Sequence, residues 1–117
     1  MNTIMYKYKI NIDSSKRYEK NLTLINNSDP SLTETFIGEF DICQKIAEVL
    51  NKKDINISEV EFTFYEGPGE SFTGLKMSAA FVNTINFALN RINSSQAKMP
   101  NYGREPNITI SSKNKLV

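Results

Sequence analysis

Histidine is absent from this chain. That removes the side chain that titrates near neutral pH, the usual base of a nucleophilic triad and the commonest zinc ligand. A catalytic site built here would rest on carboxylates, lysine or an unaided hydroxyl. Cysteine is nearly absent too: Cys43 stands alone. No internal disulfide can form, and a reducing, cytoplasmic compartment is expected. No window approaches the ~18 consecutive apolar residues of a membrane span, and charges at Lys7 and Lys9 break the apolar stretch that a signal peptide would need. No membrane association is expected. Charge of one sign is also lacking. Fourteen Lys and Arg against thirteen Asp and Glu leave a net charge of +1, whereas a dedicated nucleic-acid binder shows a strong basic excess.

What remains is ordinary for a soluble globular chain, with 39% hydrophobic and 23% charged residues, and 117 residues fit one core. Two basic clusters stand near the ends: Lys7, Lys9, Lys16, Arg17 and Lys20, then Lys98, Arg104, Lys113 and Lys115. They read as a solvated rim or as contacts to RNA phosphates.

Periodicity supplies the elements. Met5 to Ser14 alternates Tyr6, Tyr8, Ile10 and Ile12 with polar residues, a strand with one wet face. Asn21 to Asn27 predicts a second strand in a hairpin with the first, and Leu32 to Ile37 a third. From Glu39 to Lys52 the period becomes helical, with Ile42, Ile46 and Val49 on one face and Cys43, Ala47 and Leu50 beside them. Glu59 to Glu66 predicts a fourth strand, stopped by Gly67-Pro68-Gly69. A second helix is expected from an N-cap at Ser71 to about Asn93. Projected at 100° per residue it carries two apolar stripes. One holds Leu75, Ala79, Val82, Leu89 and Ile92; the other holds Met77, Ala80, Phe81, Phe87 and Ala88. A helix resting on a sheet needs only one such stripe, so the second is expected to meet a partner. Asn107 to Ile110 suggests a short edge strand.

The turn Gly67-Pro68-Gly69-Glu70-Ser71-Phe72-Thr73-Gly74-Leu75-Lys76 is the most specific stretch. Glycines permit close backbone approach, and the N-terminus of the following helix offers N–H groups to an anion. A phosphate cradle and a structural tight turn are both compatible with it. Asp13 and Ser14, at the end of the first strand, are the candidates for an accompanying metal or phosphate contact.

The same stretch resembles the Gly-Pro-Gly-Ser-Phe-Thr-Gly-Leu-Arg signature of the TsaB (YeaZ) family of tRNA threonylcarbamoyladenosine biosynthesis proteins. Ile10-Asn11-Ile12-Asp13-Ser14-Ser15 is similar to that family's first strand, and Ile55 to Val60 to the link before its signature strand. The tail Pro100-Asn101-Tyr102-Gly103-Arg104-Glu105-Pro106 resembles a Pro-x-Tyr-x-Arg-x-Pro ending. Two departures stand in the signature: Glu70 is inserted, and Lys76 replaces arginine.

The resemblance implies an α/β fold, a single ribonuclease-H-like domain equivalent to the N-terminal lobe of actin-like ATPases. Its mixed sheet would have four to five strands and two main helices. Residues 1–93 would form the lobe, and 94–117 a linker and tail, with no second lobe. It further implies a non-catalytic subunit without a cofactor. Such a subunit docks a TsaD-like catalytic paralogue, or a second copy, through a helix bundle, with a TsaE-like ATPase and tRNA in the wider complex. TsaD-type enzymes hold metal with histidines, so a chain without histidine is not that paralogue.

On this reading the signature turn comprises Gly67, Pro68, Gly69, Ser71, Phe72, Thr73, Gly74 and Leu75. The partner interface comprises Ile46, Val49 and Leu50 on the first helix and Gly74, Met77, Ser78, Phe81, Thr84 and Ala88 on the second. Gly74 and Ser78, four apart, would let a partner helix approach. Two alternatives remain beside it: a nucleotide-binding half-site completed by another chain, and a small tRNA-binding accessory protein.

Overall fold

The computed structural model describes residues 6–91. The expected tail motif and the Asn107–Ile110 strand lie outside the described residues. Four strands, β1 (Tyr8–Lys16), β2 (Glu19–Asn26), β3 (Glu34–Gly38) and β4 (Val60–Phe64), form one sheet in the order β3-β2-β1-β4. The β1–β2 and β2–β3 pairs are antiparallel and β1–β4 is parallel, so the sheet is mixed. The helices are α1 (Ile42–Lys52) and α2 (Phe72–Ala88).

Register explains the core. Ile10 faces Leu24 on one side and Phe62 on the other, while Ile12 faces Leu22 and Phe64. The period-two pattern puts all of these on one face. Ile42, Ile46, Val49 and Leu50 of α1 and Ala79 and Val82 of α2 join the same cluster, so both helices cover that face. Burying each large aliphatic side chain there contributes about 1.5–3 kcal/mol. The opposite face carries Lys9, Asn11, Asp13, Asn21, Thr23, Glu61 and Thr63, all partly exposed. Across it the Thr63 hydroxyl donates to Asn11 Oδ1 at 2.8 Å.

Local chemistry sets the ends of the elements. Asp41 caps α1 by accepting from the Gln44 amide at 2.8 Å, and Ser71 caps α2 by accepting from Gly74 N–H at 3.0 Å, as expected of N-cap oxygens. The strand β1 runs past Ser14 to Lys16, with a bulge between Asp13 and Lys16. The expected broad turn thereby shrinks to Arg17 and Tyr18. Pro30–Leu32 is a 3-10 turn rather than the start of β3.

The α2 helix stops at Ala88, five residues before the expected Asn93. Asn90 takes the left-handed conformation (φ 60°), and the Arg91 amide closes back on the Asn86 carbonyl at 2.8 Å. This is a Schellman-type ending with asparagine in the usual glycine position.

Arg91 then fastens the end of α2 to the start of β4. Its guanidinium donates to the carbonyl of Val60 and, at 3.2 Å, to that of Ser58, and lies 4.4 Å from the Tyr6 ring centroid. Arg91→Ala is expected to lower the free energy of urea unfolding by about 1–3 kcal/mol, the range for charged hydrogen bonds. Lys52→Ala, on the exposed side of α1, should change it by less than about 0.5 kcal/mol.

Candidate functional site

The signature turn sits against the end of β1. A Cβ on Gly69 would lie 2.3 Å from Ser15 Cβ, and one on Gly74 would lie 1.8 Å from the Ser14 carbonyl oxygen. Only glycine fits either place. The Ser71 amide donates to the Ser15 carbonyl at 2.8 Å, and the Arg17 amide donates to Glu70 Oε1 at 3.0 Å. Tyr65 closes the other side of the loop by donating its hydroxyl to the Pro68 carbonyl at 2.7 Å. Gly67 adopts φ 100° and precedes a cis Pro68. Leu75, the last signature residue, is fully buried, whereas Phe72 is 43% exposed. The inserted Glu70 thus has a definite place: it ties the turn to the β1–β2 hairpin.

These contacts bear directly on the phosphate-cradle reading. The N–H groups of Ser71 and Gly74 already have acceptors within the chain. A cleft of about 220 Å³ opens beside Ser14 and Thr73, but its rim mixes Lys16, Arg17 and Lys20 with Glu19 and Glu39. Asp13 is not part of it. The Asp13 carboxylate accepts from both the amide and the hydroxyl of Ser15, at 2.9 and 2.5 Å. Ser14 is buried, and its hydroxyl has no partner. The two candidate phosphate or metal residues therefore do not converge. Among the described residues no group of three or more Cys, Asp or Glu side chains is placed to hold a metal ion.

The expected interface divides in two. Ile46, Val49 and Leu50 are core residues, none more than 8% exposed. The outer side of α1 presents Cys43, Gln44, Ala47, Glu48 and Asn51 instead. Its single apolar stripe is used up by its own sheet. Gly74 and Ser78 are also buried, and the glycine faces β1. The small pair brings α2 close to its own strand, not to a foreign helix. Phe81 is half-buried, edge-on to Phe62 with ring centroids 6.5 Å apart.

Met77, Thr84 and Ala88 do lie outside, and Thr73, Ala80 and Phe87 lie with them. Met77 is 47% and Phe87 58% exposed. Spacings of four and three residues place Thr73, Met77, Ala80, Thr84 and Phe87 on one line along the helix. Nothing on that line is charged. Phe87 and Ala80 were legible as members of the second apolar stripe; what identifies them as part of an outer face is their exposure.

No family model matches the chain, and no curated protein matches it. Solved structures do. YeaZ from Pseudomonas aeruginosa superposes with a TM-score of 0.60 at 20% identity, covering 73% of this chain and 41% of that one. An uncharacterized protein with similarity to peptidase YeaZ, from the same organism, gives 0.60 and 20%, covering 73% and 40%. This α/β chain therefore has the fold of part of YeaZ, and spans about two-fifths of the length of these neighbours. The likeness read from the signature turn and the likeness of the fold lead to the same protein.

The turn's geometry makes a prediction about stability. Gly74→Ala should cost about 3 kcal/mol by urea unfolding, because the added methyl meets backbone that cannot move aside. Ser78→Ala, removing a buried hydroxyl without a partner, should gain about 1 kcal/mol.

Proposed function

We propose that this chain is a ribonuclease-H-like docking subunit of the tRNA N6-threonylcarbamoyladenosine machinery. It acts in the cytoplasm, without catalysis of its own, by presenting the outer face of α2 to a helix of a TsaD-like catalytic subunit or of a second copy. A TsaE-like ATPase and tRNA belong to the wider assembly rather than to this chain's own surface. The supporting observation is the uncharged line Met77-Ala80-Thr84-Phe87, left open on a helix whose other side is already filled. Two large exposed apolar side chains on one helical face are the kind of anchor that interfaces bury. The fold likeness to YeaZ and the signature turn together direct the choice of machinery. Among the described residues no helix is long and apolar enough to cross a membrane, and the one cysteine is free and exposed, which suits a reducing compartment.

The nucleotide half-site reading is less well supported. The Ser71 amide is spent on the Ser15 carbonyl of β1 and the Gly74 amide on the Ser71 cap, and the cleft beside the turn is ringed by both signs of charge.

Titration calorimetry of this chain against the TsaD-like paralogue of its own host tests the proposal. Saturable binding is expected, weakened at least about 100-fold by Met77→Glu or Phe87→Glu. Both positions are exposed, so the melting temperature should hold within about 2 °C. Addition of ATP and magnesium to the isolated chain should produce no saturable heat. Binding that ignores both glutamate substitutions would defeat the proposal.

A further inference from the structure

The two edges of the sheet are treated differently. At the β4 edge Arg91 donates to the carbonyl of Val60, so that edge is closed where the strand begins. At the β3 edge, among the described residues, only β2 bonds to the backbone of Glu34–Gly38. Proteins blunt an open edge with lysine, proline, a bulge or an inward-pointing charge. The strand β3 has no lysine, proline or bulge, and Ile37 on it is 59% exposed. Its one charge, Glu34, is already paired with Lys53 at 3.0 Å.

Two clefts open along this edge, on the side of the sheet that carries the helices. One, of about 450 Å³, lies between β3 and α1 and has Phe36, Val49, Lys45 and Lys52 in its lining. The other, of about 590 Å³, lies beyond the start of β3 and is lined by Tyr8, Leu24, Leu32 and Ile55. Glu34 and Lys53 border both, so the clefts are neighbours along one line. We propose that β3 takes up an extended segment of a partner protein as an added strand of the sheet. The N–H and C=O groups of the segment pair with those left open on β3. Alternate side chains of a strand point to one face, so every second residue of the segment faces the clefts. One apolar side chain enters beside Phe36 and Val49, and another enters beside Leu24, Leu32 and Ile55. The residues between them lie on the side of Thr35 and Ile37.

Charge narrows the occupant. Lys45 is paired with Glu48 at 3.3 Å and Lys53 with Glu34. Lys52, at the rim of the first cleft, makes no ion pair among the described residues. The clefts therefore present one uncompensated cation. The segment that fits them is apolar at alternate positions and carries Asp or Glu at the end that reaches Lys52. This surface is separate from the outer face of α2, because α2 packs over β1 and β4. Neither proposal depends on the other.

Selection of a random displayed peptide library, with inserts of about eight residues to span the edge, on the full-length chain tests this. Enriched sequences should be apolar at alternate positions and carry at least one Asp or Glu. The best of them is then synthesised with its backbone amides N-methylated in either alternate set. One set should weaken binding at least about tenfold and the other less than about threefold, because only every second residue of an added strand bonds to its neighbour. On the chain, Leu32→Glu should weaken binding at least about tenfold by spoiling an apolar cleft. Lys52→Glu should weaken it about threefold, as befits an exposed ion pair. Both positions are exposed, so the melting temperature should hold. Bound peptide should slow amide hydrogen exchange within Glu34–Gly38. A library that yields no enriched sequence, an equal response to the two methylated sets, or slowed exchange on α2 in place of β3 would overturn the proposal.

Discussion

The rest of this structure depends on one contact, the approach of Gly69 and Gly74 to the backbone of Ser14 and Ser15. Glycine carries no Cβ, so turn and helix can lie against the end of β1 at a distance that no other residue tolerates. The Ser71 amide bonds to the Ser15 carbonyl at the same place. Together these fix where α2 begins and how it is rotated about its axis. Leu75, Ser78, Ala79 and Val82 consequently turn inward. Arg91 fastens the far end of the helix to the start of β4. Held at both ends, α2 has no freedom to roll its second apolar stripe into the core.

That constraint accounts for the difference between the two helices. The apolar residues of α1 form one stripe, and Ile42, Ile46, Val49 and Leu50 are all consumed by the sheet beneath. Lys45 lies over the rings of Phe36 and Phe40 at its edge, using its stem to cover aromatic surface while keeping its charge in water. The α2 helix has a broader apolar arc, interrupted by a polar side at Lys76, Asn83 and Asn86, and an arc that wide exceeds what a helix resting on one sheet needs. Its own sheet covers only one side. Exposed apolar surface is therefore concentrated on one helix rather than shared between two.

Much of this was legible in the sequence, and the gaps have physical causes. Period-two runs around Ile10–Ile12 and Phe62–Phe64 and the 3.6-residue period from Ile42 to Leu50 identify strands and helix because each buries one face. Ser71 as a cap was readable for the same kind of reason, since its oxygen answers an amide that the helix leaves unpaired. Asn90 was not read as a stop, although asparagine tolerates the left-handed conformation almost as glycine does. The small residues Gly74 and Ser78 were assigned to a partner because spacing reports close approach without naming the neighbour. Their neighbour is β1, a contact distant in sequence. The assignment of Ile46, Val49 and Leu50 failed similarly. An apolar stripe announces burial, and only the packed chain shows against what.

The signature turn illustrates how one motif supports two chemistries until its donors are counted. Glycines before a helix N-terminus suit an anion because they leave amides exposed. In this chain the strand end supplies the acceptor for Ser71, the cap supplies the acceptor for Gly74, and the inserted Glu70 supplies one for Arg17. An anion entering there would have to displace protein acceptors already in place and would meet Glu19 and Glu39 at the rim. Each displaced bond would cost about as much as a new one returned, leaving little net driving force. The turn's chemistry is spent on holding α2, and α2 held in that way keeps Met77 and Phe87 in water. The motif and the open face are thus cause and consequence: the turn that serves the fold also sets which side of the helix stays in water.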